Sequence, residues 1–175
     1  MTEHAGHPDH AEQVEAVRSI MKGVRTAMLT TVAADGTLHA HPMTTQEAEF
    51  DGDVWFVLGA SSESAENARQ RPRVNVSYAG DSGWVSVAGT AELSSDPGRK
   101  KELWNRFVEA WFPEGQDDPE VQVMRVRAES AQYWDSPGRV SMMVSMLTSS
   151  VTKNPPRTGE SETVDLTSTQ EGAHR

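Results

Sequence analysis

Residues 73–93 read RVNVSYAGDSGWVSVAGTAEL, and this stretch decides the fold. Apolar and polar residues alternate in Arg73–Ala79 and again in Trp84–Leu93, as they do in strands that bury one face. The intervening Gly80-Asp81-Ser82-Gly83 is typical of a tight turn, so the two runs predict an antiparallel hairpin. The hairpin in turn indicates a chain built from short antiparallel strands.

The same signals recur on both sides of this hairpin. Further strands are predicted at Thr26–Ala33, Thr37–Gln46, Val54–Leu58, Val121–Arg127 and Ala131–Trp134. Helices are predicted at Ala11–Lys22, from Ser61 to just before Pro72, and from Pro97 through Trp111. About six strands joined by hairpin turns favour a mainly β fold with flanking helices. We expect a six-stranded antiparallel barrel, because closing the sheet removes its exposed edges.

The charge balance limits what the protein can bind. The chain has 175 residues, of which 26 are acidic and 16 basic, and its formal charge is −10. Such a surface repels nucleic acids and anionic membranes. The absence of cysteine excludes disulfides, zinc–thiolate sites, iron–sulfur clusters and thiol nucleophiles. The first residues lack the apolar core of a signal peptide and no run is long enough to span a membrane, so we expect a cytoplasmic protein.

The expected organisation is one barrel domain between two polar tails. Residues 1–10 are predicted to be a disordered tail, residues 11–150 the barrel domain, and residues 151–175 a polar, frayed tail. A domain of this length can bury a core without disulfides or a metal ion.

Several short motifs occur together in a characteristic order. They are Met28-Leu29-Thr30-Thr31, His41-Pro42-Met43, Val54-Trp55-Phe56, Pro72-Arg73-Val74-Asn75-Val76, Val85-Ser86-Val87-Ala88-Gly89-Thr90-Ala91-Glu92, Glu102-Leu103-Trp104, Ala110-Trp111-Phe112-Pro113, Asp117-Asp118-Pro119, Tyr133-Trp134-Asp135-Ser136-Pro137, Gly159-Glu160 and Val164-Asp165-Leu166. From about residue 14 to 166, the chain resembles the general stress protein 26 group of the pyridoxamine 5′-phosphate oxidase-like superfamily. The resemblance implies a split β-barrel, a homodimer, and two identical flavin sites across the dimer interface. It implies FMN as the ligand, or a deazaflavin, as in some actinobacterial relatives.

By family position, the resemblance also implies a set of cofactor-binding residues. They are His41, Pro42, Met43, Thr44, Leu58, Gly59, Ser61, Ser62, Ser64, Trp84 and Trp134. The residues of the second strand are expected to offer the flavin ring a backbone edge, with Trp84 near the ring. For Trp134, contact with the cofactor and plain packing both stay open.

The positions that hold the phosphate in FMN-binding relatives differ in this chain. Those relatives carry an arginine, a threonine and a basic pair with a lysine, where this chain has His41, Leu58, Glu63 and Ser64. A like charge about 4 Å from the phosphate costs about 4 kcal/mol per unit charge at an effective dielectric of about 20. The helix beginning near Ser61 offers free N–H groups and serine hydroxyls as a partial substitute. We therefore expect weak FMN binding, with a cofactor-free or deazaflavin-binding stress protein as the alternative.

No metal site and no catalytic side chain are predicted. His39 and His41 face the same side of a strand, but a third ligand is missing, because Met43 suits few metals. The acidic cluster at residues 117–120 is interpreted as a helix start. Flavin chemistry needs no protein side chain to react. If the protein is an enzyme, it is expected to be an FMN- or deazaflavin-dependent oxidoreductase.

Overall fold

A computed structural model of the protein describes residues 10–46, 50–135 and 161–167. Of the tail predicted at residues 1–10, residues 1–9 lie outside the described residues, as does the predicted domain boundary at residue 150, whereas His10 is the first residue of a helix. The described elements, in chain order, are α1 (His10–Met21), β1 (Thr26–Val32), β2 (Leu38–Thr44), β3 (Asp53–Gly59), α2 (Glu63–Gln70), β4 (Arg73–Gly80), β5 (Gly83–Ser94), α3 (Pro97–Leu103), α4 (Arg106–Trp111), β6 (Val121–Asp135) and β7 (Ser161–Asp165).

The described strands form one antiparallel sheet that curls into a split barrel. Its order is β2-β1-β4-β5-β6-β3, and β7 pairs with β6 beside this path. β2 and β3, the two ends of the path, approach each other without pairing in the described part of the chain. The predicted antiparallel split barrel is therefore confirmed, with seven strands in place of six.

β6 is the longest strand and joins the two halves of the barrel. One of its edges pairs with β5 from Val123 to Asp135, while the other pairs first with β3 through Val121–Arg127 and then with β7 through Ser130–Trp134. The sequence predicts two strands here, whereas the structure has one strand whose register with β5 shifts between Ala88 and Gly89. A β-bulge adds a residue without ending a strand, which is why the alternating pattern is interrupted.

The bulge marks the point where β6 changes partners. Ala88 pairs with Ser130 and Gly89 pairs with Ala128, which leaves Glu129 without a partner on β5. On the other edge, the Ala128 N–H still donates to a carbonyl just before β3, at 2.9 Å, while the Glu129 carbonyl accepts the N–H of Leu166 at 3.0 Å. At this one extra residue, the same edge of β6 therefore stops pairing with β3 and starts pairing with β7.

Part of the predicted polar tail belongs to the sheet. β7 follows a polar stretch, yet Val164 and Leu166 are fully buried in the core. The expectation of a frayed segment at residues 161–166 was therefore wrong. Two alternating apolar residues among polar neighbours are too few to predict a strand from sequence alone.

The helices α1 and α2 cover the inner face of the sheet and complete the core. On α1, Val14, Val17 and Ile20 recur at helical spacing and are buried against the sheet, as the sequence predicts. The helix predicted from Pro97 through Trp111 is instead two helices. Its break occurs at Asn105, whose side-chain oxygen accepts the N–H groups of residues 107 and 108 and so begins α4.

We predict that Gly89→Ala lowers the free energy of unfolding by about 2–3 kcal/mol. A Cβ at Gly89 would lie 2.2 Å from the backbone oxygen of Arg127, where both chains are fixed by sheet pairing. Gly59→Ala is the matched control, because a Cβ there meets no atom closer than 4.0 Å. Urea denaturation of both variants measures the difference, and equal stabilities would contradict the close approach at the bulge.

Candidate functional site

The residues that the resemblance implies as cofactor-binding form two groups in the structure. The first group lies where β2 and the end of β3 adjoin α2, and contains His41, Leu58, Gly59, Ser61, Ser62 and Ser64. The second group lies on the outer face of the sheet, which points away from the core, and contains Pro42, Thr44, Trp84 and Trp134. Met43 belongs to neither group by its side chain, which points inward from β2.

Two of these residues turn their side chains into the core. Met43 is 8% exposed and Leu58 is 5% exposed, and both pack in the main apolar cluster. Burial of this kind stabilises the barrel, since an apolar side chain gains about 1.5–3 kcal/mol on leaving water. Met43 and Leu58 can therefore contact a ligand only through their backbone atoms.

Glu63, at the start of α2, points toward β2. Its carboxylate forms a short hydrogen bond with Nδ1 of His39, and both side chains are about half exposed. The contact ties the end strand of the sheet to α2 near the split between β2 and β3. It also places a negative charge beside the strand that the resemblance assigns to the cofactor.

His41 belongs to a second hydrogen-bonded chain between β2 and α2. Its Nε2 lies 3.5 Å from Oγ1 of Thr31, which is fully buried on the neighbouring strand β1. The same hydroxyl accepts a hydrogen bond from Nδ2 of Asn67 on α2, at 3.1 Å. This chain fixes the face of α2 that meets the sheet, because each polar group left unpaired there would cost about 1–3 kcal/mol.

The loop before α2 is already bonded to a carboxylate. Glu120 accepts the backbone N–H of Ser61 at 3.2 Å and the Ser61 hydroxyl at 2.7 Å. Residue 120 lies here because β6 begins opposite the end of β3, where the Ala60 N–H donates to the Glu120 carbonyl at 2.7 Å. The helix start expected at residues 117–120 was wrong, and the local sequence gives no signal for a contact that spans 59 residues.

The serines at the start of α2 also bond to the protein itself. The Ser62 hydroxyl accepts the N–H of Ala65 at 3.3 Å, which is the helix cap, and donates to the Gly59 carbonyl at 2.7 Å. The Ser64 hydroxyl lies 3.2 Å from that of Ser62 and is 5% exposed. The donors that the sequence suggests as a phosphate cradle are therefore largely engaged within the fold.

The nearby arginines bond to other groups. The Arg69 guanidinium donates to the Ala60 carbonyl at 2.7 Å and to Gln122 at 2.8 Å, so it brings one positive charge to the loop before α2. Arg71 donates to the Ala34 carbonyl at 3.0 Å. These bonds direct both guanidinium groups toward the protein backbone.

The outer face of strands β2, β1, β4 and β5, here called the outer sheet face, has an unusual composition. Its outward residues are Leu38, Ala40, Pro42, Thr44, Thr26, Met28, Thr30, Val32, Arg73, Asn75, Ser77, Ala79, Trp84, Ser86, Ala88, Thr90, Glu92 and Ser94. Arg73 and Glu92, both toward one end of the face, are the only charged residues among them. Trp84, which is 48% exposed, pairs across the β5–β6 ladder with Trp134.

The sequence of the chain matches that of a known family over most of its length. The family is described as "Pyridoxamine 5'-phosphate oxidase like", and it matches residues 12–157. The chain belongs to this family.

Several known proteins are similar to this member of the pyridoxamine 5′-phosphate oxidase-like family. Protein bli-3 of Neurospora crassa is 27% identical over an alignment 136 residues long, which covers 70% of this chain and 64% of bli-3, so the chain spans less than two thirds of that relative. A crystal structure described as a candidate general stress protein 26 from Jannaschia sp. CCS1 is 23% identical, with a TM-score of 0.73, and the match covers 89% of this chain and 99% of that one. This likeness shows the fold.

A third relative carries a description of its ligand. The general stress FMN/FAD binding protein from the phytopathogen Xanthomonas citri is 30% identical, and the match covers 71% of this chain and 89% of that one with a TM-score of 0.63. Relatives of this pyridoxamine 5′-phosphate oxidase-like chain thus include a flavin-binding stress protein.

The chemistry available in this pyridoxamine 5′-phosphate oxidase-like barrel is mainly that of hydroxyls, carboxylates and aromatic rings. Burial raises the pKa of Tyr78 well above its usual value, so its inward hydroxyl stays protonated. Among the described residues, no three histidine, aspartate or glutamate side chains are grouped so that they could hold a metal ion. In the same part of the chain, no helix is long and apolar enough to cross a membrane.

We predict that Thr31→Val destabilises this family member by about 1–3 kcal/mol, because it leaves the buried amide of Asn67 without its acceptor. Thr30→Val is the control, since Thr30 has the same shape, lies on the same strand and faces the opposite side. We expect it to change stability by less than about 0.5 kcal/mol. Thermal unfolding of the two variants checks this, and a Thr31→Val protein as stable as the control would rule out a role for the hydrogen bond.

Proposed function

We propose that the protein is a homodimeric flavin-binding protein of the general stress protein 26 type, with two identical flavin sites between its protomers. FMN is the flavin that the family resemblance implies, and oxidoreductase chemistry in the cytoplasm is the proposed activity. The single observation that carries this proposal is the nearly uncharged outer sheet face. The flavin-binding relative from Xanthomonas citri supports it.

The composition of the outer sheet face favours burial against a partner. Charged residues make up 24% of the chain, yet only Arg73 and Glu92 carry a charge among the outward residues of four strands. A sheet face in contact with water normally alternates apolar residues inside with charged and polar residues outside. Depletion of charge together with exposed aromatic residues is instead typical of the centre of a protein interface.

The polar side chains on this face bond to one another. Asn75 donates to the Ser86 hydroxyl at 2.8 Å, and the Ser77 hydroxyl donates to the Asn75 side-chain oxygen at 2.9 Å. A polar group that keeps its hydrogen bonds costs little to bury. Covering this face would therefore leave few hydrogen-bond donors or acceptors unpaired, which favours an interface here.

A second copy of the chain would bring the two parts of the flavin site together. Trp84 and Trp134 lie on β5 and β6, whereas Pro42 and Thr44 lie on β2. β2 and β5 are three strand spacings apart in the sheet, which is about 14 Å. A two-fold axis through the face would place the tryptophans of one protomer near β2 of the other, twice per dimer.

The chain's own part in flavin chemistry is to position and shield the ring. A bound flavin supplies hydride or electron transfer, and the protein supplies a flat apolar slot with backbone donors and acceptors. β2 is an end strand of the described sheet, so one edge of its backbone is open at Pro42–Thr44. The proposal assigns no side chain a reactive role.

We predict that Ser77→Arg converts the dimer to monomers and abolishes flavin binding. The substitution puts a charge at the centre of the outer sheet face, where burying it without a partner costs several kcal/mol. Ser19→Arg is the matched control, because Ser19 is exposed on α1, which packs against the inner side of the sheet. Light scattering after gel filtration gives the mass of each variant, and a dimeric Ser77→Arg protein argues against this interface.

We predict that Trp84→Ala weakens flavin binding by about tenfold, whereas Trp84→Phe retains most of it, because an aromatic face is what stacks on the ring. Flavin fluorescence quenching gives the two dissociation constants. Gel filtration confirms that each variant is still dimeric. Equal loss in both variants would mean that the indole, and not an aromatic surface, is required.

The alternative is a dimer that holds no flavin, and the carboxylates of Glu63 and Glu120 beside α2 favour it. The visible spectrum of the purified protein and mass spectrometry of any small molecule released on denaturation separate the possibilities. A flavin or a deazaflavin identifies the ligand directly. A colourless protein that quenches neither added cofactor at micromolar concentration refutes the flavin proposal.

A further inference from the structure

Two carboxylates lie at the start of α2, where the family resemblance expects the phosphate of FMN. Glu63 is bonded to His39, and Glu120 is bonded to Ser61. Both contacts hold the carboxylates near the helix start, although the two residues are far apart in sequence. A bound phosphate monoester would bring close to two further negative charges to the same place.

The positive charge available there is small. Arg69 places its guanidinium at the Ala60 carbonyl, one residue before Ser61, and so sets one positive charge against two carboxylates. His41 contributes a ring nitrogen near a buried hydroxyl. Like charges at about 4 Å repel by about 4 kcal/mol at an effective dielectric of about 20, before screening by salt. The site therefore disfavours an anion.

The backbone donors at this helix start are partly engaged within the fold. A helix N-terminus binds anions through its free N–H groups. At the start of α2, the N–H of Ser61 is bonded to Glu120, that of Ser62 to the Gly59 carbonyl at 3.1 Å, and that of Ala65 to the Ser62 hydroxyl. Among the described residues, the N–H groups of Glu63 and Ser64 keep no such bond and are the donors left for an anion. A phosphate that used the others would have to displace internal bonds and also approach Glu120.

The carboxylates at the start of α2 are better partners for an uncharged chain of hydroxyl groups than for a phosphate. A hydroxyl both donates and accepts hydrogen bonds, whereas a phosphate at neutral pH mainly accepts. The carboxylates of Glu63 and Glu120 can accept from hydroxyls, and hydrogen bonds to ionised acceptors are the stronger ones. Carboxylates that repel a phosphate would therefore attract the polyol part of a flavin.

We propose that this protein holds a flavin whose side chain ends in hydroxyls and not in a phosphate, and that Glu63 and Glu120 set this preference. Riboflavin is the simplest such ligand. The inference rests on the proposed flavin-binding function and names the ligand class of that same site. It departs from FMN, because the residues beside α2 do not fit a phosphate.

The test compares riboflavin with FMN on the dimeric wild-type protein, by quenching of flavin fluorescence in one buffer at physiological salt. We expect riboflavin to bind at least about tenfold more tightly than FMN. In the double variant Glu63→Gln/Glu120→Gln, the amides keep acceptor oxygens but carry no charge. The preference should then fall to within about threefold, mainly through tighter FMN binding.

Glu109→Gln is the control, because it removes one carboxylate charge by the same substitution at an exposed position on α4 and should leave the preference unchanged. FMN binding as tight as riboflavin binding to the wild type overturns this inference and leaves the proposed function standing. A preference that persists in the double variant also overturns it. Quenching of neither flavin by the wild type overturns the proposed function itself, and this inference with it.

Discussion

The barrel depends on one close approach of two backbones. At the bulge between β5 and β6, Gly89 comes so near Arg127 that a single added carbon would overlap its carbonyl oxygen. Because Glu129 has no partner on β5 at the bulge, β6 continues past the β3 pairing and pairs with β7 while it remains paired with β5. The two halves of the sheet, the position of residue 120 and the overall curl all follow from that continuity.

Much of this architecture could be predicted from the alternating pattern, because half-buried strands repeat every two residues whatever their neighbours are. Arg73–Gly80 and Gly83–Ser94 illustrate this, since they bury alternate side chains as their sequence indicates. The errors occur where tertiary contacts override local signals. β7 is part of the sheet because Val164 and Leu166 are buried in the core. Asn105 divides a helix that the pattern predicts as continuous.

The candidate site was less accessible to sequence reasoning. The position of Glu63 at the start of a helix could be predicted, but its partner His39 lies on another strand. Glu120 reaches Ser61 only because the register of β3 and β6 brings distant residues side by side. Register depends on long-range packing, so the sequence near either residue does not specify it. The charge of the site is thus a property of the fold.

The pairing of β3 also has a consequence for how the chain is made. The hairpins β1–β2 and β4–β5 are local in sequence and can form early during synthesis, whereas β3 pairs with β6, from which it is separated by more than sixty residues. Until β6 emerges from the ribosome, the apolar stretch Val54–Leu58 is a strand without a neighbour. Such a strand recruits other chains readily, so nascent-chain aggregation and chaperone capture should concentrate on this segment.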